Sequence, residues 1–226
     1  MTLRIAGGLA ALICAATYLF GFAMLVTVLA PLGFGSDEID VAAVVAFIAE
    51  RPGVLIAWNT LIYVVNALAL AVLVVALCRQ IASSRPDAAA LTGAIGLIWA
   101  TLVLGAGMIA NVAVERTHAL AADPAAAASL WQTLHAVELG LGGGNEIAGG
   151  AWILAVSLAG IASGLLGRVT AGIGAISGFA GLVTILPPLG ETAGAVFGLG
   201  AIAWFVAVGI VPLRGGRTTF VKGVSA

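Results

Sequence analysis

The sequence predicts an all-α, polytopic membrane bundle. Three observations carry that prediction: extreme apolar content, charge-free runs of about bilayer length, and a lopsided placement of the few charges. Of 226 residues, 62% are hydrophobic and 8% are charged, and the mean hydropathy is +1.19. A soluble domain is roughly 45–50% apolar and about 25% charged, so this chain has too few charges to cover a water-facing surface. Nine Lys and Arg against ten Asp and Glu leave no basic surplus for a phosphate backbone, so nucleic acid is not an expected partner.

A hydrocarbon core of about 30 Å needs about 20 helical residues. Six runs come close to or exceed that length without a charged residue: 5–29, 53–77, 91–114, 147–166, 169–186 and 192–213. Lipid offers the backbone no hydrogen-bond partner, so spanning segments are helices or closed barrels. Barrel strands alternate apolar and polar residues. These runs do not, so six transmembrane helices in a single membrane domain, 1–226, are expected.

The first run follows Arg4. It is about twice the usual 7–15-residue apolar region of a secretory signal, so a retained helix is expected. Orientation follows from Lys and Arg in the connections. With both termini inside, Arg4, Arg79, Arg85, Arg168, Arg214, Arg217 and Lys222 fall inside, and only Arg51 and Arg116 fall outside. The acids show the opposite bias. Asp87 is inside, whereas Asp37, Glu38, Asp40, Glu50, Glu115, Asp123, Glu138, Glu146 and Glu191 lie at or beyond the outer boundary.

The outer connections are the longer ones. Residues 36–51 read as a short surface helix with Ser36 or Asp37 as its N-cap. Residues 115–146 form the longest non-spanning segment. Within it Asp123 caps a helix that has Pro124 at its first position. The helix continues through Trp131, His135 and Glu138 along the outer face and breaks at Gly142-Gly143-Gly144.

Of 31 glycines, 21 lie at or after residue 140. Gly160/Gly164, Gly174/Gly178 and Gly190/Gly194/Gly198 are spaced as ridges that let helices approach closely in lipid. Spans four to six are therefore expected to form a tight unit, with spans one to three packed more loosely around it. A seam between copies is the other use of such ridges. Cys14 and Cys78 lie at different depths and read as small apolar residues. Trp58, Trp99, Trp131, Trp152 and Trp204 serve as anchors or packing.

Asn59, Tyr63 and Asn66 share one stripe of the second span. Interhelical hydrogen bonding is the expected role, and a ligand pocket opening outward between spans two, three and four is the alternative. On the outer face, Glu115-x-x-His118 ends the third span and His135-x-x-Glu138 follows. Spacing of three puts each pair on one helix face. Two antiparallel helices would then converge two imidazoles and two carboxylates, a set suited to zinc, iron or manganese. Paired histidines alternatively ligate haem. The opposing expectation is that these side chains simply mark the boundary, with Arg116 paired to Glu115 or Glu138. Asn145 would cap the fourth span. Asn145 and Glu146 would otherwise share a pocket with Glu191, where two carboxylates side by side repel unless protonated or bridged by a cation. No nucleophile motif such as Gly-x-Ser-x-Gly is present, so catalysis is not the expectation.

The stretch Arg168-Val-Thr-Ala-Gly-Ile-Gly-Ala-Ile-Ser-Gly-Phe-Ala-Gly-Leu, followed by Glu191 and Phe205-Val-Ala-Val-Gly-Ile, resembles the C-terminal half of a bacterial multi-pass membrane family known only as a domain of unknown function. The resemblance covers about 50 residues, and the usual Pro before the Arg is replaced by Leu166-Gly167. It implies a bacterial inner-membrane protein and supplies no catalytic residues. With few intramembrane charges and many glycine ridges, the expected role is a structural, accessory or regulatory membrane subunit. Its expected partners are the lipid bilayer and either another membrane protein or a second copy. A small-molecule or lipid-handling protein, and a metal- or haem-binding one, are the alternatives.

Overall fold

A computed structural model of the chain describes residues 2–35, 39–143 and 146–213. Among these the fold is all-helical. Helix α1, Leu3–Met24, is capped by the Thr2 hydroxyl, which accepts from the Ile5 N–H. It widens into a π-helical turn at Leu25–Leu29 and ends in a 3-10 turn at Ala30–Leu32. Gly33, with φ of 82°, then takes the left-handed conformation that a side chain disfavours.

Helix α2, Val41–Glu50, is the expected outer surface helix, but its cap is Asp40, whose carboxylate accepts from the Ala43 N–H at 3.0 Å. The expected caps Ser36 and Asp37 lie outside the described residues. The second span starts at α3, Pro52–Asn59, passes through a π-helical segment at Thr60–Val65 and continues as α4, Asn66–Ala82. Helix α5, Pro86–Ala119, is the longest at 34 residues. Helix α6, Pro124–Glu138, begins as expected. The Asp123 carboxylate accepts from Ala126 N–H at 3.1 Å, and Pro124 occupies the first turn. It runs on into Leu139–Gly143, where the backbone kinks at Gly142, whose φ is 134°. Helices α7, Ile147–Ala162, α8, Arg168–Val183, and α9, Gly190–Leu213, complete the fold.

Among the described residues, five stretches are long and apolar enough to cross a bilayer: Leu3–Leu32, Pro52–Ala82, Pro86–Ala119, Pro124–Ala162 and Pro187–Ile210. The helix expected at 169–186 is present as α8, but its 16 residues reach only about 24 Å at 1.5 Å per residue.

Helix α1 packs on α4 and α9, α4 packs on α5, and α7 lies between α5 and α8, which in turn packs on α9. Helices α2 and α6 close one end of this arrangement against α5. The main core contains Trp99, Trp152, Trp204, Phe197 and Phe205. A second core at the α2–α6 end holds Leu29, Leu32, Val44, Ile48, Leu55, Ala113, Val114 and Trp131. Trp152 and Trp204 are fully buried and meet edge to face with centroids 5.6 Å apart. The central tryptophans therefore pack the interior, and anchoring at a boundary does not describe them.

Glycines set the closest approaches. A Cβ on Gly150 would stand 2.6 Å from the Gly178 carbonyl oxygen, and one on Gly178 would stand 2.6 Å from the Leu154 nitrogen. Helices α7 and α8 thus touch backbone to backbone. Gly174 faces Ser157 and Trp204 in the same seam. The other expected ridges differ. Gly164 has φ of 73° and forms the turn that ends α7, with the Leu165 and Leu166 amides returning to the Gly160 carbonyl. Gly194 faces open space, and in its row only Gly198 meets a neighbouring helix closely, through Phe22. Nor is tight packing confined to the C-terminal spans, since Gly7 meets Ala76 across α1 and α4, and Gly107 meets Tyr63.

Candidate functional site

The π-helical turn after α1, the last turns of α3, the C-terminal part of α5 and the inner face of α6 meet around a cavity of about 440 Å³. Phe34, Trp58, Tyr63 and Trp131 supply aromatic walls, and Asn59, His135 and Glu138 are its polar groups. A smaller cavity of about 180 Å³ lies deeper, between Tyr18, Phe22, Ile62, Asn66, Trp99 and Glu146. Leu25, Trp58 and Tyr63 line both, so these three side chains form the partition.

The room comes from the backbone. A π-helical turn inserts an extra residue into an α-helix, widens it and is frequent at functional sites. Both π-helical segments contribute to these walls, Leu25 from the first and Ile62 and Tyr63 from the second, and the kinked stretch after α6 adds Leu139 and Gly142. The Asn111 amide donates to the Thr60 hydroxyl at 3.0 Å and ties the second segment to α5.

Glu138 is the polar centre. It is 4% exposed, and both carboxylate oxygens are engaged. The Tyr63 hydroxyl donates to Oε1 at 2.6 Å, and His135 Nδ1 lies 2.9 Å from Oε2. His135 stacks on Trp131 with centroids 4.6 Å apart and planes 18° apart. With Nδ1 turned to the carboxylate, the imidazole presents Nε2, which is buried without a partner, as is Trp58 Nε1. A carboxylate that fixes one imidazole nitrogen and frees the other is an arrangement shared by general bases and by metal-binding histidines.

The expected convergence of four ligands does not occur. Among the described residues, no three His, Cys, Asp or Glu side chains form a group that could hold a metal ion. Helical periodicity gives the reason. In the last turns of α5 the buried positions are Ala113, Val114 and Thr117, and at roughly 100° per residue Glu115 points about 150° away from them. Glu115 and His118 are exposed, and His118 Nδ1 lies 3.2 Å from the Ile48 carbonyl, at the end of α2. In α6 the buried face is Ala127, Trp131 and Glu138, with His135 beside it. Each Glu/His pair keeps its own face, and only one pair turns inward. Arg116 does not reach Glu138. The ion pair found among the described residues is His135–Glu138.

The second-span stripe divides between roles. Asn66 is 1% exposed and donates to the Thr17 hydroxyl at 2.6 Å, which itself donates to the Cys14 carbonyl at 2.9 Å. This is the interhelical bond expected of it. Asn59, 5% exposed, lines the larger cavity and Tyr63 both. The chamber lies between spans one, two and three and α6, rather than between spans two, three and four. Glu146 lines the smaller cavity, and its backbone N–H donates to the Thr184 hydroxyl at 3.0 Å. Glu191 is exposed in the first turn of α9 and lines neither cavity. Asn145 lies outside the described residues. Phe34, Leu25 and the partition role of Trp58 were not foreseen. The signal for the Trp131/His135/Glu138 face was present in its spacing of four and three on one helix.

The chain matches no protein-family model, and no curated protein or solved structure is similar to it.

Proposed function

We propose that this protein crosses the membrane six times, with both termini inside, and binds a small amphipathic molecule in the chamber at the outer end of its helices. The observation that carries the reading is the cavity itself. About 440 Å³ falls within the roughly 300–1,000 Å³ of ligand pockets, which combine apolar walls with a few placed polar groups. Here the polar groups are the Tyr63–Glu138–His135 network and two buried nitrogens without partners, Trp58 Nε1 and His135 Nε2.

Six spans are supported by α8. It packs along the 16-residue α7 and shows Val169, Ile176 and Phe179 to its surroundings at 77%, 67% and 64% exposure, as a lipid-facing helix does. A local thinning of the bilayer accommodates its length at modest cost. The seven-to-two bias of Lys and Arg supports the orientation. The bacterial inner membrane is the setting implied by the C-terminal resemblance. The accessory-subunit reading loses part of its basis, because Gly150, Gly174, Gly178 and Gly181 are spent on contacts within the chain.

Native mass spectrometry in nanodiscs tests the reading. The protein should retain a non-protein mass that Ala110→Phe, which fills the larger cavity, loses while remaining folded. Identical spectra from the two proteins would overturn the binding reading. For topology, a thiol at Ala121→Cys should react from outside, and one at Ser84→Cys only after permeabilisation.

A further inference from the structure

Resting on that ligand-binding reading, we propose that the chamber takes a lipophilic organic cation. The charge balance is the first argument. The linings of the two cavities include Glu138 and Glu146 and contain no Lys or Arg. An anion entering there meets carboxyl groups with no basic side chain in the walls to offset them. A neutral acyl chain makes no use of a carboxylate held where lipid and protein exclude water, a placement that is costly unless compensated.

The second argument is the wall around Glu138. Phe34 stands edge-on to Trp58 at 5.8 Å and 79°, and edge-on to Trp131 at 6.3 Å and 77°. Aromatic faces carry negative potential, and several of them around a cation are worth more when water is absent. Trp58, Tyr63 and Trp131 line the same space as the carboxylate. The third argument is the free lone pair. His135 with Nδ1–H on Glu138 leaves Nε2 as an acceptor, buried and unpartnered. A protonated amine has the N–H to give it. Trp58 Nε1–H and the Asn59 amide, both neutral, remain for a carbonyl or ether on the same ligand. Past Trp58 and Tyr63, the smaller cavity offers Phe22, Ile62 and Val103 to the apolar part of the molecule and ends at the second acid, Glu146.

The test uses two ions of one shape and opposite charge, tetraphenylphosphonium and tetraphenylborate, measured by equilibrium dialysis against nanodisc-embedded full-length protein, with empty nanodiscs subtracted. Tetraphenylphosphonium should bind saturably, and tetraphenylborate about tenfold or more weaker. Glu138→Gln keeps the size of the side chain and an acceptor for Tyr63, and should weaken tetraphenylphosphonium binding by about tenfold. Trp58→Leu leaves the acid in place and should weaken it severalfold, which keeps the test open if the Glu138 variant fails to fold. Equal binding of the two ions, or unchanged affinity in both variants, overturns the cation assignment. If neither ion binds while the wild type still carries a mass that Ala110→Phe loses, the cation assignment falls and the chamber reading stands. If no mass is carried and neither ion binds, both fall.

Discussion

The α7–α8 seam and the chamber at the α2–α6 end solve opposite problems with opposite residues. In the seam, Gly150, Gly178 and Gly181 bring backbone against backbone. Around the chamber, Phe34, Trp58, Tyr63 and Trp131 are among the largest side chains in the protein, yet they enclose empty volume. The difference lies in the helices that carry them. Helices α7 and α8 are regular and short, whereas Leu25 and Tyr63 line the chambers from π-helical segments and Leu139 from the kinked end of α6. Small residues on regular helices close space. Large residues at widened or kinked turns hold it open. In lipid, where apolar burial between helices gains little over apolar burial in acyl chains, the seam supplies cohesion and the chamber is placed where cohesion is not needed.

The largest test of this contrast is a side chain in the seam. Gly178→Val places its Cβ 2.6 Å from the Leu154 nitrogen and 2.7 Å from the Gly150 carbonyl oxygen. Backbone atoms cannot rotate away, so α7 and α8 must separate. The expected cost is at or above the roughly 1–3 kcal/mol of ordinary overpacking. It is read as loss of monodisperse protein in detergent and a large fall in Tm. A Gly178→Val protein with wild-type Tm would mean that the seam is not tightly closed.

Chamber substitutions should cost less, because removing a side chain from a cavity wall forces no backbone apart. Glu138→Ala leaves both the Tyr63 hydroxyl and His135 Nδ1 without their acceptor, and an unsatisfied buried group costs about 1–3 kcal/mol. Tyr63→Phe removes one donor and leaves His135 in place, so its effect should be about half. Thermal unfolding of the two variants checks the order. If Tyr63→Phe destabilises as much as Gly178→Val, the chamber end is as rigid as the seam and the contrast fails.

The seam was more legible in the sequence than the chamber, and the reason is physical. Glycine at spacing four means close approach whatever the partner is, so Gly174/Gly178 could be read locally. Gly160/Gly164 had the same spacing, but there the left-handed φ of Gly164 ends a helix. The positions of the long apolar helices followed from hydropathy alone. The chamber depends on π-type segments, and an extra residue in a helix changes the face of everything beyond it without leaving a mark in composition. The Glu/His spacing located one half of the polar centre. The Tyr63–Glu138 bond joins residues 75 apart in sequence, and no local pattern reports such a pair. Likewise Glu115 and His118 had the right spacing but the wrong face, which only the buried positions of α5 reveal.

Between the two regions, the Asn66–Thr17 bond is a polar contact in a part of the bundle where side chains, not backbone, set the distance. Asn66→Ala and Thr17→Val, alone and combined, should give a coupling of about 0.6 kcal/mol, at most about 1.7 kcal/mol, as measured for polar contacts between membrane helices. Equilibrium unfolding in mixed micelles gives the number. A coupling near zero would show that each side chain finds another partner, and would extend the loose character of the chamber end to mid-bundle.

The smallest effect should come from a glycine that neither region uses. Gly172 lies in α8, two residues before Gly174, and a Cβ there meets nothing within 4 Å. Alanine removes backbone entropy from the unfolded chain and fits the helix, so Gly172→Ala should be neutral or stabilise by about 0.5–1 kcal/mol. Gly142 also has open space, but its φ of 134° is one that side chains rarely adopt, so Gly142→Ala should destabilise. The pair separates the two uses of glycine at constant free volume. If Gly172→Ala lowers the Tm as Gly178→Val does, α8 needs flexibility rather than proximity, and the seam cannot be credited to close backbone contact.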